Sequence, residues 1–195
     1  MASLYILAGC NGAGKTTASY SFLPEILDCR EFVNSDEFAK SLSPFDPSEA
    51  SVTGSRFMLR RIEYLLDRGA TFSVETTLAT RSLVSIINEA HKRGYVVTIL
   101  YLWIQSPEMA IQRVRDRVAS GGHNIPEAVL RRRYSTGLKY LFDMYMPICD
   151  RWMIADNSSS TFMLIAEGDD RRIIIKDEDK FRKTRKMVKE DEEQL

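Results

Sequence analysis

The sequence has no apolar run long enough to cross a bilayer, which takes about 20 residues, so no membrane-spanning role is expected. It has no excess charge of either sign. Its 27 lysines and arginines balance 27 aspartates and glutamates, which argues against broad, nonspecific nucleic-acid binding. Its three cysteines, Cys10, Cys29 and Cys149, are an odd number without metal-ligand spacing. That points away from a disulfide scaffold or zinc site and toward a reduced, cytoplasmic protein. His123 has no second ligand at metal spacing and reads as a loop residue. Internal repeats and low-complexity linkers are absent, and so is the N-K-x-D signature of guanine recognition. Leu7-Ala8-Gly9-Cys10 looks like a lipoprotein processing site, but no basic segment precedes it and the apolar stretch is too short.

What is present suits one domain over residues 1–195, with 44% apolar and 28% charged residues. The strongest feature is Gly9-Cys10-Asn11-Gly12-Ala13-Gly14-Lys15-Thr16, which fits G-x-x-x-x-G-K-[ST] at every fixed position. The apolar run Leu4–Ala8 before it suits a buried strand, and Thr17–Leu23 after it suits a helix. Strand, glycine loop, helix is the order of a phosphate-binding P-loop. Asn11, Gly12, Ala13, Gly14, Lys15, Thr16 and Thr17 then form an ATP cradle. In it Lys15 reaches the β/γ phosphates and the Thr16 hydroxyl binds Mg²⁺.

Further along, apolar runs alternate with helical periodicity. Strands are expected at Arg30–Asn34, Phe72–Glu75, Val96–Leu102 and Trp152–Ala155. A polar corner, Ser35–Phe38, leads into a helical turn, and Ser43–Pro47 breaks the pattern. Helices are expected from about Pro47 to Asp67 with Phe57, Leu59, Ile62, Leu65 and Leu66 as apolar positions, through Leu83–Ala90, from Ser106 as N-cap, and from Glu127 toward Pro147. Phe162–Ala166 and Ile173–Ile175 read as a hairpin, and the tail from Asp177 as a charged, solvated helix. This alternation is the pattern of an α/β fold, a doubly wound parallel sheet with helices on both faces.

Ligands of such sheets sit at the carboxyl ends of the strands. The polar residues there are Asp36, Glu75 and Asp156-Asn157. Phosphoryl transfer to an alcohol needs a carboxylate to orient the hydroxyl and accept its proton, which is the role expected of Asp36. Capping of the following helix accounts for Asn34 and Glu37 but does not require Asp36. Glu75, with Thr76 beside it, is expected at the substrate, or at a Mg²⁺-bound water, since no apolar run ends in the usual aspartate. Arg113 and Arg117 lie one turn apart, Gly121-Gly122 interrupts the helix, and Arg131-Arg132-Arg133 follow. Helix, glycine break, helix describes a small lid over residues 113–133. Arg117 and Arg132 are the arginines chosen to reach the phosphates. Tyr134 and Tyr145 fall on an apolar stripe and read as core. Adenine recognition is placed around Asn157.

"LAGCNGAGKTT", "VNSDEF", "FSVETTL", "RVASGGHNIPEAVLRRRY" and "IADNS", in that order, resemble a zeta-toxin-like P-loop kinase over roughly residues 4–176. The resemblance implies an ATP-dependent small-molecule kinase with Lys15, Thr16 and Asp36 in the family's lysine, metal-binding and catalytic positions. Its lid arginines would fall near Arg117 and within Arg131–Arg133. It implies a small-molecule acceptor such as a UDP-N-acetylhexosamine, and an antitoxin-like protein partner. Glu75-Thr76-Thr77 departs from the glycine-bearing loop of the toxins proper. A nucleotide-dependent switch that hydrolyses ATP without a small-molecule acceptor is the competing expectation.

Overall fold

The computed structural model describes residues 1–43, 49–122, 124–159 and 161–190. Most of the expected break at Ser43–Pro47, the expected start of the next helix, and His123 lie outside the described residues. Seven strands form one sheet: β1 (Ser3–Ala8), β2 (Phe32–Val33), β3 (Phe72–Thr76), β4 (Val96–Trp103), β5 (Arg151–Asp156), β6 (Met163–Asp169) and β7 (Ile173–Ile175). Their order across the sheet is β2-β3-β1-β4-β5-β6-β7. The first five run parallel, and β6 and β7 close one side antiparallel, as the expected hairpin.

Consecutive residues of β1 and β4 are buried alike: Ile6, Leu7 and Ala8, then Tyr101, Leu102 and Trp103. Neighbouring side chains on a strand point to opposite faces, so both faces of the sheet centre are covered. The covering helices are α1 (Lys15–Ile26), α2 (Ser35–Leu42), α3 (Ser51–Asp67), α4 (Leu83–Lys92), α5 (Pro107–Ala119), α6 (Glu127–Tyr140) and α7 (Glu178–Glu190).

Three expectations are corrected. β2 is two residues long rather than five, and the polar corner after it is a full helix, α2, capped by the Asn34 side chain. On α3 the buried stripe runs through Ile62, Leu65 and Leu66, while Phe57 and Leu59 are exposed. Gly54 shares the buried side of α3. A Cβ there would lie 2.9 Å from the Ser35 carbonyl oxygen, so its absence lets α2 approach and fixes the wall that carries Asp36. The tail helix α7 is more than a solvated face. Thr184 is fully buried, and Lys180 pairs at 2.8 Å with Asp156 at the end of β5.

The glycine pair after α5 is an ordered helix end. Gly122 N–H donates to the Arg117 carbonyl and Gly121 N–H to Val118, the paired bonds of a Schellman cap, with Gly121 at φ +86°. A Cβ on Gly121 would meet nothing within 4 Å, so the penalty of substitution lies in the backbone alone. Gly121→Ala should therefore cost about 1–2 kcal/mol in urea denaturation, the penalty of a left-handed L-residue. An unchanged midpoint would mean that this cap contributes nothing.

Candidate active site

At Ala8 the chain leaves β1 and wraps into a loop that ends where α1 begins at Lys15. Gly12 and Gly14 both sit at φ +82°, a conformation that side chains with a Cβ take only under strain. The loop closes on itself through Ala13 N–H to the Cys10 carbonyl. Lys15 is 6% exposed, and its ammonium donates to the Cys10 carbonyl at 3.1 Å. It also stands 3.7 Å from Glu75 Oε1.

Glu75 lies opposite Leu7 in the β1–β3 register, so the sheet itself delivers it to the loop. Its Oε2 accepts from Thr16 Oγ1 at 2.8 Å and from Asn34 Nδ2 at 2.9 Å. Asn34 uses its other end as the cap of α2, with Oδ1 accepting from Asp36 N–H at 2.8 Å and Glu37 N–H at 3.4 Å. One planar amide thus links the carboxylate beneath the P-loop to the helix that carries Asp36. Asp36 is exposed and lines the same cleft, of about 650 Å³, as Gly12, Gly14, Lys15, Thr16, Thr17, Glu75 and Arg117.

The arginines divide by role. Arg113 is half-buried and spends its guanidinium on carbonyls: Gly12 at 3.4 Å, Asn157 at 2.9 Å and Ser158 at 3.0 Å. It staples the P-loop to the end of β5. Arg117, one turn on, is exposed and lines the cleft. On α6 it is Arg133, next to the expected Arg132, that contacts the P-loop. Arg133 is half-buried and its Nη1 donates to Asn11 Oδ1 at 3.0 Å, whereas Arg132 is exposed; neither is among the residues lining the cleft. Arg131 is held in surface ion pairs with Glu108 and Glu127. Thr76 is also not among the lining residues, and its hydroxyl oxygen accepts from Leu78 N–H at 3.0 Å within the β3–α4 connection.

Asn157, expected near the base, donates its Nδ2 to the Ala13 carbonyl at 2.7 Å and so braces the loop from outside. Next to it, burial alone would raise the Asp156 carboxyl. The Lys180 ammonium and the donors of Ser158 outweigh that and hold it below the usual carboxylate range. Burial pushes the Cys10 thiol up to about 11 even with Lys15 nearby, so at neutral pH it is a packing group rather than a thiolate. Cys29 and Cys149 are buried as well. Tyr134 and Tyr145 are core, as expected.

The oxygens at this site fit a magnesium ion. Among the described residues no group of three or more His, Cys, Asp or Glu side chains could form an all-protein metal cage. A hydroxyl on Thr16 and a carboxylate behind it instead match a hard cation held by one or two protein oxygens together with phosphates. Asn34, Arg113, Arg133 and Asn157 were not read as partners of the loop in the sequence. Arg113, Arg133 and Asn157 reach it across 101 to 144 positions of chain, and Asn34 reaches Glu75 beneath it across 41, and only the sheet order brings them there.

Among the described residues no helix is long and apolar enough to cross a membrane. The fold is that of P-loop kinases. A gluconokinase from Sinorhizobium meliloti is 17% identical at a TM-score of 0.51, covering 81% of this chain and 83% of its own. A chain of the AvrRxo1-ORF1:-ORF2 crystal structure with ATP is 18% identical at a TM-score of 0.71, covering 96% of this chain. The present chain spans 64% of that one. A chain from the PezAT chromosomal toxin–antitoxin system of Streptococcus pneumoniae is 16% identical at a TM-score of 0.65, covering 97% of this chain and 87% of that one. In sequence, an uncharacterized protein of Haemophilus influenzae is 29% identical over 126 residues, 65% of this chain and 88% of its own length. The Zeta toxin family model matches residues 2–164, a span that takes in the P-loop, Asp36, Glu75 and the arginine-bearing helices, and the chain belongs to the zeta toxin family.

Proposed function

We propose that this protein transfers the γ-phosphate of ATP to a hydroxyl of a small molecule. The observation that carries the proposal is the shared cleft: Asp36 on α2 faces the same space as Lys15 and Thr16 of the P-loop. A nucleotide switch needs the loop but has no use for a second carboxylate wall. Bound Mg²⁺, held through Thr16 and the Glu75 carboxylate behind it, would neutralise phosphate charge.

The residues then divide the work. Lys15 holds the β/γ phosphates, and the loop amides turn toward them. Asp36 orients the acceptor hydroxyl and takes its proton as the oxygen attacks the γ-phosphorus, while the bond from that phosphorus to the β–γ bridging oxygen breaks and ADP leaves. Arg117 stabilises charge on the transferring group from the α5 side, and Arg133 does so from α6 once it exchanges Asn11 for phosphate. A sugar nucleotide such as a UDP-N-acetylhexosamine is the acceptor this reading tries first. A protein partner that covers the cleft is its regulatory counterpart, in keeping with the toxin–antitoxin system to which the PezAT relative belongs.

A screen with γ-labelled ATP against UDP-N-acetylhexosamines, free sugars and polyols tests it. Label should appear on one acceptor class. Release of label only as inorganic phosphate would favour the switch and defeat the kinase.

A further inference from the structure

The helix that brings Arg133 to the P-loop makes a second contact that the proposed chemistry does not explain. Gly137, one turn further along α6, is buried against the β3–α4 connection. A Cβ at Gly137 would stand 2.6 Å from the Thr77 carbonyl oxygen and 3.4 Å from the Tyr101 hydroxyl. Glycine inside a helix is destabilising relative to alanine, so this one is kept for space rather than for helix formation.

The connection that it touches is itself unusual. Leu78 is fully buried yet sits at φ +56°, a left-handed conformation that a branched side chain adopts only when its surroundings impose it. The Thr76 hydroxyl fixes the turn through Leu78 N–H. Two residues before the Thr77 carbonyl stands Glu75, which gathers Thr16, Asn34 and Lys15. After Tyr140 the same helix widens into a π turn over Leu141–Tyr145, and from it the Tyr145 hydroxyl donates to the Thr80 carbonyl. π turns recur at functional sites, where they re-aim side chains. One continuous rod therefore meets the P-loop at Asn11 and the connection that follows the Glu75 strand at Thr77 and Thr80.

We propose that Gly137 is a positioning residue: by letting α6 lie against the Thr77 carbonyl, it sets Glu75 at the distance from Thr16 that Mg²⁺–nucleotide binding requires. The inference rests on the nucleotide reading above and goes beyond it in naming what holds the carboxylate. A Cβ there cannot be accommodated by turning a side chain, because the atom it meets is backbone. Either α6 or the Thr76–Leu78 turn must move, and Glu75 lies at the root of that turn.

The test is binding of a fluorescent ATP analogue titrated with MgCl₂, on wild type, Gly137→Ala and Tyr145→Phe, with urea melts alongside. Wild type should bind more tightly as MgCl₂ rises. Gly137→Ala should need about tenfold more MgCl₂ for half-maximal enhancement, the scale of effects from groups behind a metal site, while its affinity in EDTA matches wild type. Tyr145→Phe should move in the same direction by a smaller factor, and it decides the matter if Gly137→Ala does not fold. A folded Gly137→Ala with the wild-type Mg²⁺ dependence overturns the inference and leaves the nucleotide reading standing. A wild type indifferent to MgCl₂ overturns both.

Discussion

Asp36→Asn should lose phosphoryl transfer by about a hundred- to ten-thousand-fold, the usual contribution of a positioned general base, while ATP still binds. The amide keeps the size and polarity of the carboxylate but cannot take a proton. The carboxylate makes no hydrogen bond to any described residue, and the backbone N–H of Asp36 goes to Asn34 whatever the side chain. What α2 loses is a negative charge in its first turn, worth about 0.3–1 kcal/mol at an exposed site. A melting temperature near wild type together with lost transfer would separate chemistry from folding. Full turnover in Asp36→Asn would remove this residue from the mechanism and leave the acceptor wall without a base.

Lys15→Met should cut transfer by at least about a hundred-fold, on the scale of losing one preorganised donor to the transition state, and should also weaken ATP binding. Methionine fills much of the same buried volume but carries no charge. The loss should also be felt without nucleotide, because Glu75 then keeps Thr16 and Asn34 but not the ammonium 3.7 Å away. The same variant is the control for toxicity. If wild type slows growth of a bacterial host, Lys15→Met should not, and the need for a restraining partner follows. Equal growth with both would argue that the activity is harmless to that host. Retained turnover in Lys15→Met would contradict the role of the P-loop itself.

How much of this was legible before the structure depends on how far each contact reaches along the chain. The P-loop was legible because its strand, glycines and helix lie within about two dozen consecutive residues, and local geometry dictates local sequence. Most of the strands are legible as apolar runs, and the two-residue β2 is the exception. The order of the strands is not legible, and the order is what places Glu75 under Thr16. Glu75 failed the usual template because its strand is short and interrupted by buried Ser73, which ties back to the Glu31 carbonyl.

The choice among Arg131, Arg132 and Arg133 turned on rotation of α6. Its buried residues are Leu130, Tyr134, Gly137 and Leu138. Arg133 is three residues after Leu130 and four before Gly137, so it flanks the buried stripe. Arg132 lies about 200° around the helix from both Leu130 and Tyr134 and faces away. The period was visible in the sequence, but the glycine that completes the stripe was not read as part of it. In the sequence Arg113 and Arg117 share a helix face. Both line the cleft, and structure separates them by exposure and partners: Arg113 is half-buried and held on carbonyls, and Arg117 is exposed.

The phosphate loop is made well before the groups that finish it. Residues 9–16 leave the ribosome ahead of the groups that brace them, Arg113, Arg133 and Asn157, which lie 101 to 144 positions later. Lys180, which secures Asp156 beside Asn157, comes later still. At roughly 5–20 residues per second, synthesis of that interval takes on the order of ten seconds or more. Through it the nascent chain carries a complete Walker motif without the walls that shape it. Competence to bind nucleotide is thereby tied to synthesis beyond Asn157, and a product truncated before it would carry the motif without the pocket.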